Sequence, residues 1–483
     1  MSRFKPFLLG IVLLIPLTAT GQSVADDPGV QSALKLIDVW LSAQRDYQDY
    51  PGLSAAIVHD QELLWSHGYG FSNMETQTPT TPETIYSICS ISKLFTSVAL
   101  MRFRDEGAVR MDDPVSDHLS WLNIKESFPD DPPITVGGIL THSSGLPRES
   151  DFPYWSGPDF PFPTRDQLIE RVSSQSTLYP ADTYFQYSNL GLSLAGEIVA
   201  EKSGQPYSDY IQNLILTPLE LSDTRTKLPE DLHGGQLAIG YSAKNRAGER
   251  EAIPIWQARG IAPAAGFSST VLDLAKFSSW QFRVLGTGHT EILSKNTLRE
   301  MHRVHWLDSD WGTSWGWGFR VFRQNDKTFV GHGGACPGYR TNLQIQTDSK
   351  ISTIVMVNSN GADPGLYTRR LFEIVEPAVK EALDSTSTEK DFNPEFEKFT
   401  GIYSGQPWGG DSAILNYRGK LVRISLSSRD PIAGMTKLKH IEGNTFRRIR
   451  DNEELGEEWV FEEGADGDIV RVWQHSHPSE KIE

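Results

Sequence analysis

The chain has 483 residues, of which 38% are hydrophobic, and it carries a formal net charge of −17 with a pI near 5.2. This length allows one large domain and a smaller one, each with a buried core. The acidic balance argues against binding of nucleic acid, which favours basic surfaces. Phosphate-binding Gly-x-x-x-x-Gly-Lys loops and His-Glu-x-x-His helices are absent from the sequence, so no cofactor and no metal is implied.

The N-terminus predicts a secretory signal peptide over residues 1–21. A short basic region precedes an apolar stretch over Phe7–Thr18, and small residues then allow cleavage after Gly21 or after Ala25. Pro16 interrupts an apolar run that is shorter than the roughly 20 residues of a membrane-spanning helix. We therefore expect a secreted or periplasmic protein with no membrane span after signal removal.

The next segments predict a helix followed by a β-hairpin. Apolar residues at helical spacing indicate an amphipathic helix over Val30–Asp46. Leu53–Val58 and Glu62–Gly68 have the pattern of two strands joined by a turn. Residues 100–300 then carry mostly helix and loop signals with scattered proline, which predicts a helical region in the middle of the chain.

A Ser-x-x-Lys pattern, Ser90 to Lys93, stands where a helix is predicted to begin. An apolar-rich run follows over Leu94–Arg104, and Gly107 provides a stop signal. Because positions i and i+3 share a helix face, the Ser90 hydroxyl and the Lys93 amine can come within hydrogen-bond reach. The helix N-terminus favours a developing oxyanion. The pattern suits a serine acyl-transfer site, although it occurs by chance in many chains.

Two further segments make the signal specific. Tyr187–Asn189 opens another helical pattern, and His332–Gly334 follows an apolar strand and precedes strand-like runs over Asn342–Gln346 and Ser352–Val357. Ser-x-x-Lys, Tyr-x-Asn and a basic residue-x-Gly, in this order, resemble the serine β-lactamase and penicillin-binding-protein superfamily. The resemblance is to its class C-like branch of carboxypeptidases, esterases and D-amino-acid peptidases, and it covers residues 31–385.

The resemblance implies an α/β fold for residues 31–385. One antiparallel sheet, in which the N-terminal hairpin joins the strands after His332, would be flanked by helices and would carry an all-helical lobe. A late helix over Gly365–Leu383 would cover the sheet. The active site is expected where the sheet and the lobe meet, and Ile134–Pro147 resembles the helix-and-loop segment that borders it in the family.

The C-terminal part predicts a separate small all-β domain over residues 394–483. A polar linker over Ser385–Asn393 precedes it, and short apolar runs alternate with turn signals beyond the linker. The sequence predicts an antiparallel barrel or sheet that binds a partner, shapes the cleft or supports packing. The predicted strands are Thr400–Ser404, Ala413–Tyr417, Leu421–Leu426, Thr445–Ile449, Trp459–Glu462 and Ile469–Gln474.

The family resemblance implies three catalytic residues. Ser90 would be the nucleophile, which is too weak to attack unaided. Lys93, partly desolvated, could take its proton, and Tyr187 is the other candidate base, as a phenolate stabilised by Lys93. The sequence does not decide whether Lys93 or Tyr187 is the general base. Tyr187 would also protonate the leaving group.

The same resemblance implies substrate-binding roles for Asn189, His332, Gly334 and Ala335. Asn189 would hold an acyl-side carbonyl or amide of the substrate. His332, where many relatives carry lysine, would titrate near neutrality and bind substrate or shuttle a proton. Gly334 and the glycine before it would let substrate lie close to the strand. The amides of Ala335 and Ser90 would form the oxyanion hole.

The implied function is that of a secreted serine hydrolase with an acyl-enzyme on Ser90. Its substrate would be a small amide or ester, such as a D-amino-acid peptide in a D-Ala-D-Ala carboxypeptidase-like reaction. Histidine at 332 disfavours efficient β-lactam hydrolysis. The alternatives are a carboxylesterase with weak β-lactamase activity and a non-catalytic binding or sensor protein of the same fold. A small-molecule or short peptide substrate is the only partner implied, and the oligomeric state is not indicated.

The two cysteines, Cys89 and Cys336, flank the predicted site. An oxidising compartment would allow a disulfide between them, because the family fold makes that helix end and that strand neighbours. We favour two buried thiols packed behind the site.

Two other groups are interpreted as structural. His142, in a Thr-His-Ser-Ser-Gly loop, is assigned to loop scaffolding. A tryptophan cluster, Trp306, Trp311, Trp315 and Trp317, could line a groove, but ordinary packing beside the sheet is favoured.

Overall fold

A computed structural model describes residues 23–128, 130, 132–150, 154–384 and 393–483. The predicted signal peptide lies outside these residues, as does nearly all of the predicted linker. Among the described helices, none combines the length and the apolar character that crossing a membrane requires.

The α-helices lie on both faces of the sheet, and most of them fall between residues 90 and 301. In chain order they are α1 (Pro28–Tyr47), α2 (Ser92–Asp105), α3 (Val136–Thr141), α4 (Arg165–Val172), α5 (Asn189–Ser203), α6 (Tyr207–Ile211), α7 (Ala262–Ala265), α8 (Val271–Thr287), α9 (Lys295–Met301) and α10 (Pro364–Leu383).

The strands that precede the C-terminal part form one nine-stranded sheet and two short pairs. They are β1 (Gly52–His59), β2 (Glu62–Asn73), β3 (Thr78–Pro79), β4 (Tyr86–Ser87), β5 (Gly240–Tyr241), β6 (Ala252–Ile253), β7 (Ser268–Ser269), β8 (Trp306–Leu307), β9 (Ser314–Trp315), β10 (Arg320–Gln324), β11 (Lys327–Cys336), β12 (Tyr339–Gln346) and β13 (Ile351–Val357). The sheet order is β3-β2-β1-β13-β12-β11-β10-β9-β8, while β4 pairs with β7 and β5 with β6.

The predicted antiparallel α/β fold is confirmed. The N-terminal hairpin joins the later strands, with Leu53 of β1 opposite Val357 of β13, and His332 of β11 opposite Leu343 of β12. Every residue of β13 is buried, because helices cover both faces of the sheet, and this explains its continuous apolar run. Val355 packs on the α1–α10 side, whereas Ile354 packs into the core of the helical lobe.

Helix α2 is the centre of the helical lobe. Eleven of its side chains are buried, and they point in all directions around the axis. A helix that is buried all round belongs to the core. Its polar side chains must therefore find partners inside the protein, which bears directly on Lys93.

The C-terminal residues form an eight-stranded barrel. Its strands, in the order of the sheet, are β14 (Gly401–Tyr403), β15 (Ser412–Tyr417), β16 (Lys420–Ser425), β17 (Thr436–Glu442), β18 (Thr445–Ile449), β19 (Leu455–Glu463), β20 (Ile469–Gln474) and β21 (His477–Glu480). Hydrogen bonds of 2.8 Å from Ile482 N to Ile402 O and from Ser404 N to Glu480 O join the two end strands. The sequence did not predict β17 or β21. In β17 only Leu438 is buried, so the apolar alternation that marks a strand is missing.

The barrel packs against α1 through an interface that contains Trp40. This side chain is fully buried, its ring centroid lies 5.7 Å from that of Tyr367 in α10, and its Nε1 donates to Ser428 O of the barrel at 2.9 Å. Gln44, one turn later, donates to Leu426 O at 2.8 Å. One helix therefore connects the sheet domain to the barrel.

Replacement of Trp40 by alanine should leave a cavity between the two domains. We expect a loss of about 3–5 kcal/mol in the free energy of unfolding, measured by urea denaturation followed by circular dichroism. Trp408→Ala is the matched control, since Trp408 is 85% exposed, and it should change stability by no more than about 0.5 kcal/mol. Equal effects of the two substitutions would contradict the docking role of Trp40.

Candidate active site

Ser90 lies at the start of the helical segment that becomes α2. It belongs to a 3₁₀ turn, Cys89–Ile91, that continues into Ser92. Its side chain is half-buried, whereas both of its neighbours are buried. Cys89 has φ of 50°, in the left-handed region that residues other than glycine rarely adopt. Such backbone strain is concentrated at functional sites.

Lys93 is fully buried beneath Ser90 and has three polar contacts. Its Nζ lies 3.2 Å from Ser90 Oγ, 2.7 Å from Asn189 Oδ1 and 2.8 Å from the carbonyl oxygen of Ala264. Burial lowers the pKa of Lys93 well below its ordinary value, while the nearby Glu149 carboxylate raises the pKa. The sequence predicted partial desolvation, and the structure shows complete burial.

The three contacts accommodate a neutral amine at Lys93, which is the form that burial favours. Two of the contacting groups, the Asn189 amide oxygen and the Ala264 carbonyl, can only accept hydrogen bonds. A neutral amine has two hydrogens, which these acceptors take, and one lone pair, which is left facing Ser90 Oγ. The geometry therefore allows Lys93 to accept the proton of the Ser90 hydroxyl.

Asn189 connects Lys93 to a carboxylate that the sequence analysis did not identify. The Asn189 amide accepts from Lys93 and donates from Nδ2 to Glu149 Oε1 at 2.6 Å. Tyr154 donates to the other oxygen of Glu149. Both ends of the Asn189 amide are thus engaged within the protein, whereas we had predicted a substrate-binding role. Glu149 follows the Ile134–Pro147 segment by two residues, and no motif spacing distinguishes it.

Tyr187 lies between the nucleophile and two basic side chains. It is hydrogen-bonded to Ser90, and its ring centroid lies 4.9 Å from Lys93 Nζ and 5.0 Å from Arg148 Cζ. Burial nevertheless raises the pKa of Tyr187, and its hydrogen bond with Ser90 only partly opposes this effect. The expectation of a resting phenolate is therefore wrong. Tyr187 is a protonated phenol, suited to donating a proton.

His332 faces Tyr187 as a neutral imidazole. Its Nδ1 lies 2.6 Å from the carbonyl oxygen of Gly333, which can only accept, so the proton is on Nδ1 and Nε2 faces the Tyr187 hydroxyl at 3.5 Å. Burial lowers the pKa of His332 to about 3, and the nearby Lys93 lowers it further. The expectation that His332 titrates near neutrality is wrong, because its pocket excludes water.

Aromatic side chains hold Tyr187 in place. The ring centroid of His142 lies 4.2 Å from that of Tyr187, and its Nδ1 accepts from Ser188 N at 3.1 Å. Trp315 is buried against His142, Tyr187 and His332. His142, which we assigned to loop scaffolding, therefore packs directly against a candidate catalytic residue.

Gly334 allows β11 to lie against the turn that carries Ser90. A Cβ at Gly334 would overlap Thr341 Oγ1 and the Ile88 carbonyl oxygen, whereas a Cβ at Gly333 would meet nothing closer than Asn342 Nδ2 at 3.4 Å. The two glycines therefore differ in their packing, and the substrate-side role of both stays a prediction. Gly334 serves the contact between strand and turn, and Gly333 points to the opposite face of the sheet. Ala335, the predicted oxyanion donor, follows on the same strand and is exposed.

Cys89 and Cys336 form a disulfide, with Cα atoms 5.7 Å apart. The preferred interpretation as two free thiols is wrong, because the close approach of β11 to the turn brings both cysteines within bonding distance. The disulfide joins the residue before Ser90 to the residue after Ala335. It thereby connects the two candidate contributors to the oxyanion hole.

The chain matches a protein-family model and known relatives. Residues 37–375 match the family model described as Beta-lactamase. Beta-lactamase-like protein 2 of Dictyostelium discoideum is 26% identical over 78% of this chain and 69% of its own length. The human Putative beta-lactamase-like 1 is 23% identical over 93% and 91% of the two chains.

Solved structures share the fold. The octameric penicillin-binding protein homologue from Pyrococcus abyssi superposes with a TM-score of 0.62 at 23% identity, covering 93% of this chain and all of that one. The D-amino acid amidase from Ochrobactrum anthropi SV3 superposes with a TM-score of 0.57 at 24% identity, covering 74% of this chain and 99% of that one.

Gly334→Ala should disturb the site far more than Gly333→Ala. The added methyl group pushes β11 away from the turn at Ile88, which should cost about 1–3 kcal/mol of stability and lower kcat/KM about 100-fold through misplacement of the site. Gly333→Ala should retain stability and turnover within about twofold, since its methyl group finds ordinary contacts. Urea denaturation and steady-state kinetics on both variants test this, and similar losses would contradict the assignment.

Glu149→Gln should shift the acidic limb of the pH–rate profile to lower pH. The carboxylate raises the pKa of Lys93, so its removal lowers that pKa and a neutral Lys93 persists to lower pH. The profile of kcat/KM against pH measures this shift. Glu170→Gln, an exposed position in α4, is the matched control and should leave the limb in place. A shift of the limb to higher pH in Glu149→Gln would overturn this electrostatic role.

Proposed function

Because this chain belongs to the Beta-lactamase family of hydrolases, we propose that it is a serine hydrolase that forms an acyl-enzyme on Ser90. The observation that carries the proposal is the contact of 3.2 Å between Lys93 Nζ and Ser90 Oγ, with the other polar contacts of the buried amine taken by acceptors. This arrangement supplies a nucleophile and a base whose pKa burial has lowered.

In the first step, Ser90 Oγ attacks the substrate carbonyl carbon while its proton passes to Lys93 Nζ. The carbonyl oxygen becomes an oxyanion, for which the amides of Ser90 and Ala335 are the proposed donors. Tyr187 then gives its proton to the leaving nitrogen or oxygen as the tetrahedral intermediate collapses. The resulting phenolate lies beside Lys93, now an ammonium, which returns a proton to it. Lys93 is thereby neutral again, and the acyl group is bonded to Ser90.

In the second step, water releases the acyl group. Lys93 takes a proton from the attacking water, and the Ser90 alkoxide that leaves recovers a proton from the ammonium. His332, neutral throughout, accepts a hydrogen bond from Tyr187 and keeps the phenol oriented. In this mechanism Asn189 and Glu149 position Lys93 and do not touch the reacting atoms.

We propose a small amide as the substrate, with a D-amino-acid peptide of the D-Ala-D-Ala type as the first candidate. The structural likeness to a D-amino acid amidase supports this choice. A carboxylesterase with weak β-lactamase activity is the second candidate. It is supported by likeness to EstCE1, a hydrolase with promiscuous acyltransferase activity, at a TM-score of 0.60 and 21% identity over 72% of this chain and 99% of that one.

We also propose that the protein is exported. Two independent features support this: the signal-like sequence over residues 1–21 and the disulfide between Cys89 and Cys336. Structural disulfides persist in oxidising compartments such as a periplasm or the extracellular medium.

Labelling with a fluorophosphonate tests the mechanism. Intact mass and peptide mapping should find one adduct, on Ser90, and Ser90→Ala should lose both the adduct and turnover by about a thousandfold or more. Ser208→Ala, an exposed serine in α6, is the control and should behave like the parent protein. An adduct on another residue would contradict the mechanism. A folded protein that forms no adduct and turns over no substrate would instead support the non-catalytic alternative.

Substrate comparison separates the enzymatic candidates. Release of D-alanine from a D-Ala-D-Ala peptide should exceed hydrolysis of the L-Ala-L-Ala peptide, and both should vanish in Ser90→Ala. Rapid hydrolysis of p-nitrophenyl butyrate without D-alanine release would favour the esterase.

A further inference from the structure

The reverse face of β11 carries a second pocket, of about 710 Å³. We call it the basic pocket and define it by Arg320, Arg323, Arg369, Asn342, Gln344 and Trp311, which all line it. We infer that the basic pocket is a binding site for a small organic carboxylate with an apolar body. Its volume suits a small molecule, and the inference does not depend on the proposed catalytic mechanism.

The charge of the basic pocket is opposite to that of the protein. The chain has a net charge of −17, yet among the described residues three arginines and no acidic residue line this pocket. Arg320 rests against the Phe322 ring with its Cζ 5.2 Å from the centroid, and exposed Arg323 contacts Asp326 at 3.6 Å to Oδ1 and 3.5 Å to the carbonyl oxygen. Guanidinium groups bind carboxylates through paired hydrogen bonds, so these side chains are available for an anion.

A buried amide without a partner points to a missing ligand. Gln344 is only 4% exposed, and its Nε2 has no hydrogen-bond acceptor within the described part of the chain. Asn342 Oδ1 accepts a hydrogen bond from Thr368 Oγ1 at 2.8 Å, and Asn342 Nδ2 lies between Gly333 and Gly365. Buried donors are normally satisfied. A carboxylate in the pocket would accept from the Gln344 amide as well as from the arginines.

The rim of the basic pocket is apolar. Trp311 is 78% exposed, and Val304 and Leu307 are also exposed and line the same opening. Packing beside the sheet, the preferred interpretation of the tryptophan cluster, is wrong for Trp311. An exposed indole beside guanidinium groups suits an amphipathic ligand with an aromatic or acyl body.

The basic pocket is separated from Ser90 by the strand itself. His332 points toward Tyr187 on the lobe face, whereas Gly333 points to the opposite face. Gly331 and Gly333 line the pocket, and the absence of side chains at these positions leaves its space open. The two sites therefore use opposite faces of one strand.

Isothermal titration with phenylacetate as the probe tests the inference, and 2-phenylethanol serves as its uncharged analogue. Phenylacetate should bind, and 2-phenylethanol should bind at least about tenfold more weakly, because it lacks the charge that the arginines pair with. The double variant Arg320→Gln/Arg369→Gln should weaken phenylacetate binding about tenfold or more. Gln344→Leu should weaken it by a smaller factor. Arg246→Gln, at an exposed position in a distant loop, should have no effect.

Two further comparisons between variants show where phenylacetate binds. Ser90→Ala should bind phenylacetate as tightly as the parent protein does, because the nucleophile lies on the other face. Binding that survives the double arginine substitution, or that Ser90→Ala removes, would place the probe elsewhere and overturn the inference. Equal binding of 2-phenylethanol, or no binding of phenylacetate by the folded protein, would overturn it as well.

Discussion

The burial of Lys93 is the constraint on which the rest of the site depends. An ammonium group in the core of the helical lobe would pay a large desolvation cost, and the surroundings offer acceptors rather than a directly bonded carboxylate. The Asn189 amide and the Ala264 carbonyl take two hydrogens, and the remaining direction leads to Ser90. Glu149 is hydrogen-bonded to Asn189 and does not contact Lys93 directly. Its negative charge raises the pKa of Lys93 and so partly opposes the effect of burial.

A second constraint is the contact between β11 and the turn before α2. It requires the absence of a side chain at Gly334, it brings Cys336 within bonding distance of Cys89, and it sets Ala335 beside the nucleophile turn. The same strand separates two chemically different environments. On one face His332 is buried and neutral next to Tyr187, and on the other the arginines and Gln344 line an open pocket.

Local sequence patterns were sufficient to predict the fold and three residues of the candidate site. Ser90, Lys93 and Tyr187 stand at helix starts and motif positions, and the structure brings them together. Glu149 was missed, and the contact of His142 with Tyr187 was not predicted, because both arise from tertiary structure that no spacing in the chain encodes. The protonation states of Tyr187 and His332 were mistaken for the same reason, since they follow from burial in the folded protein. Strand β17 was missed because it buries only Leu438.

The central claim is that burial holds the pKa of the Lys93 amine well below its ordinary value, and direct titration of this amine is the most informative measurement. Protein labelled with ¹³C at the lysine ε-carbon would be followed by NMR from acidic to alkaline pH, with Lys93→Arg identifying the Lys93 resonance. We predict that this resonance has the shift of a neutral amine at pH 7 and titrates well below the ordinary lysine pKa of 10.5. A Lys93 resonance that remains that of an ammonium up to about pH 10, as for an exposed lysine, would contradict the account.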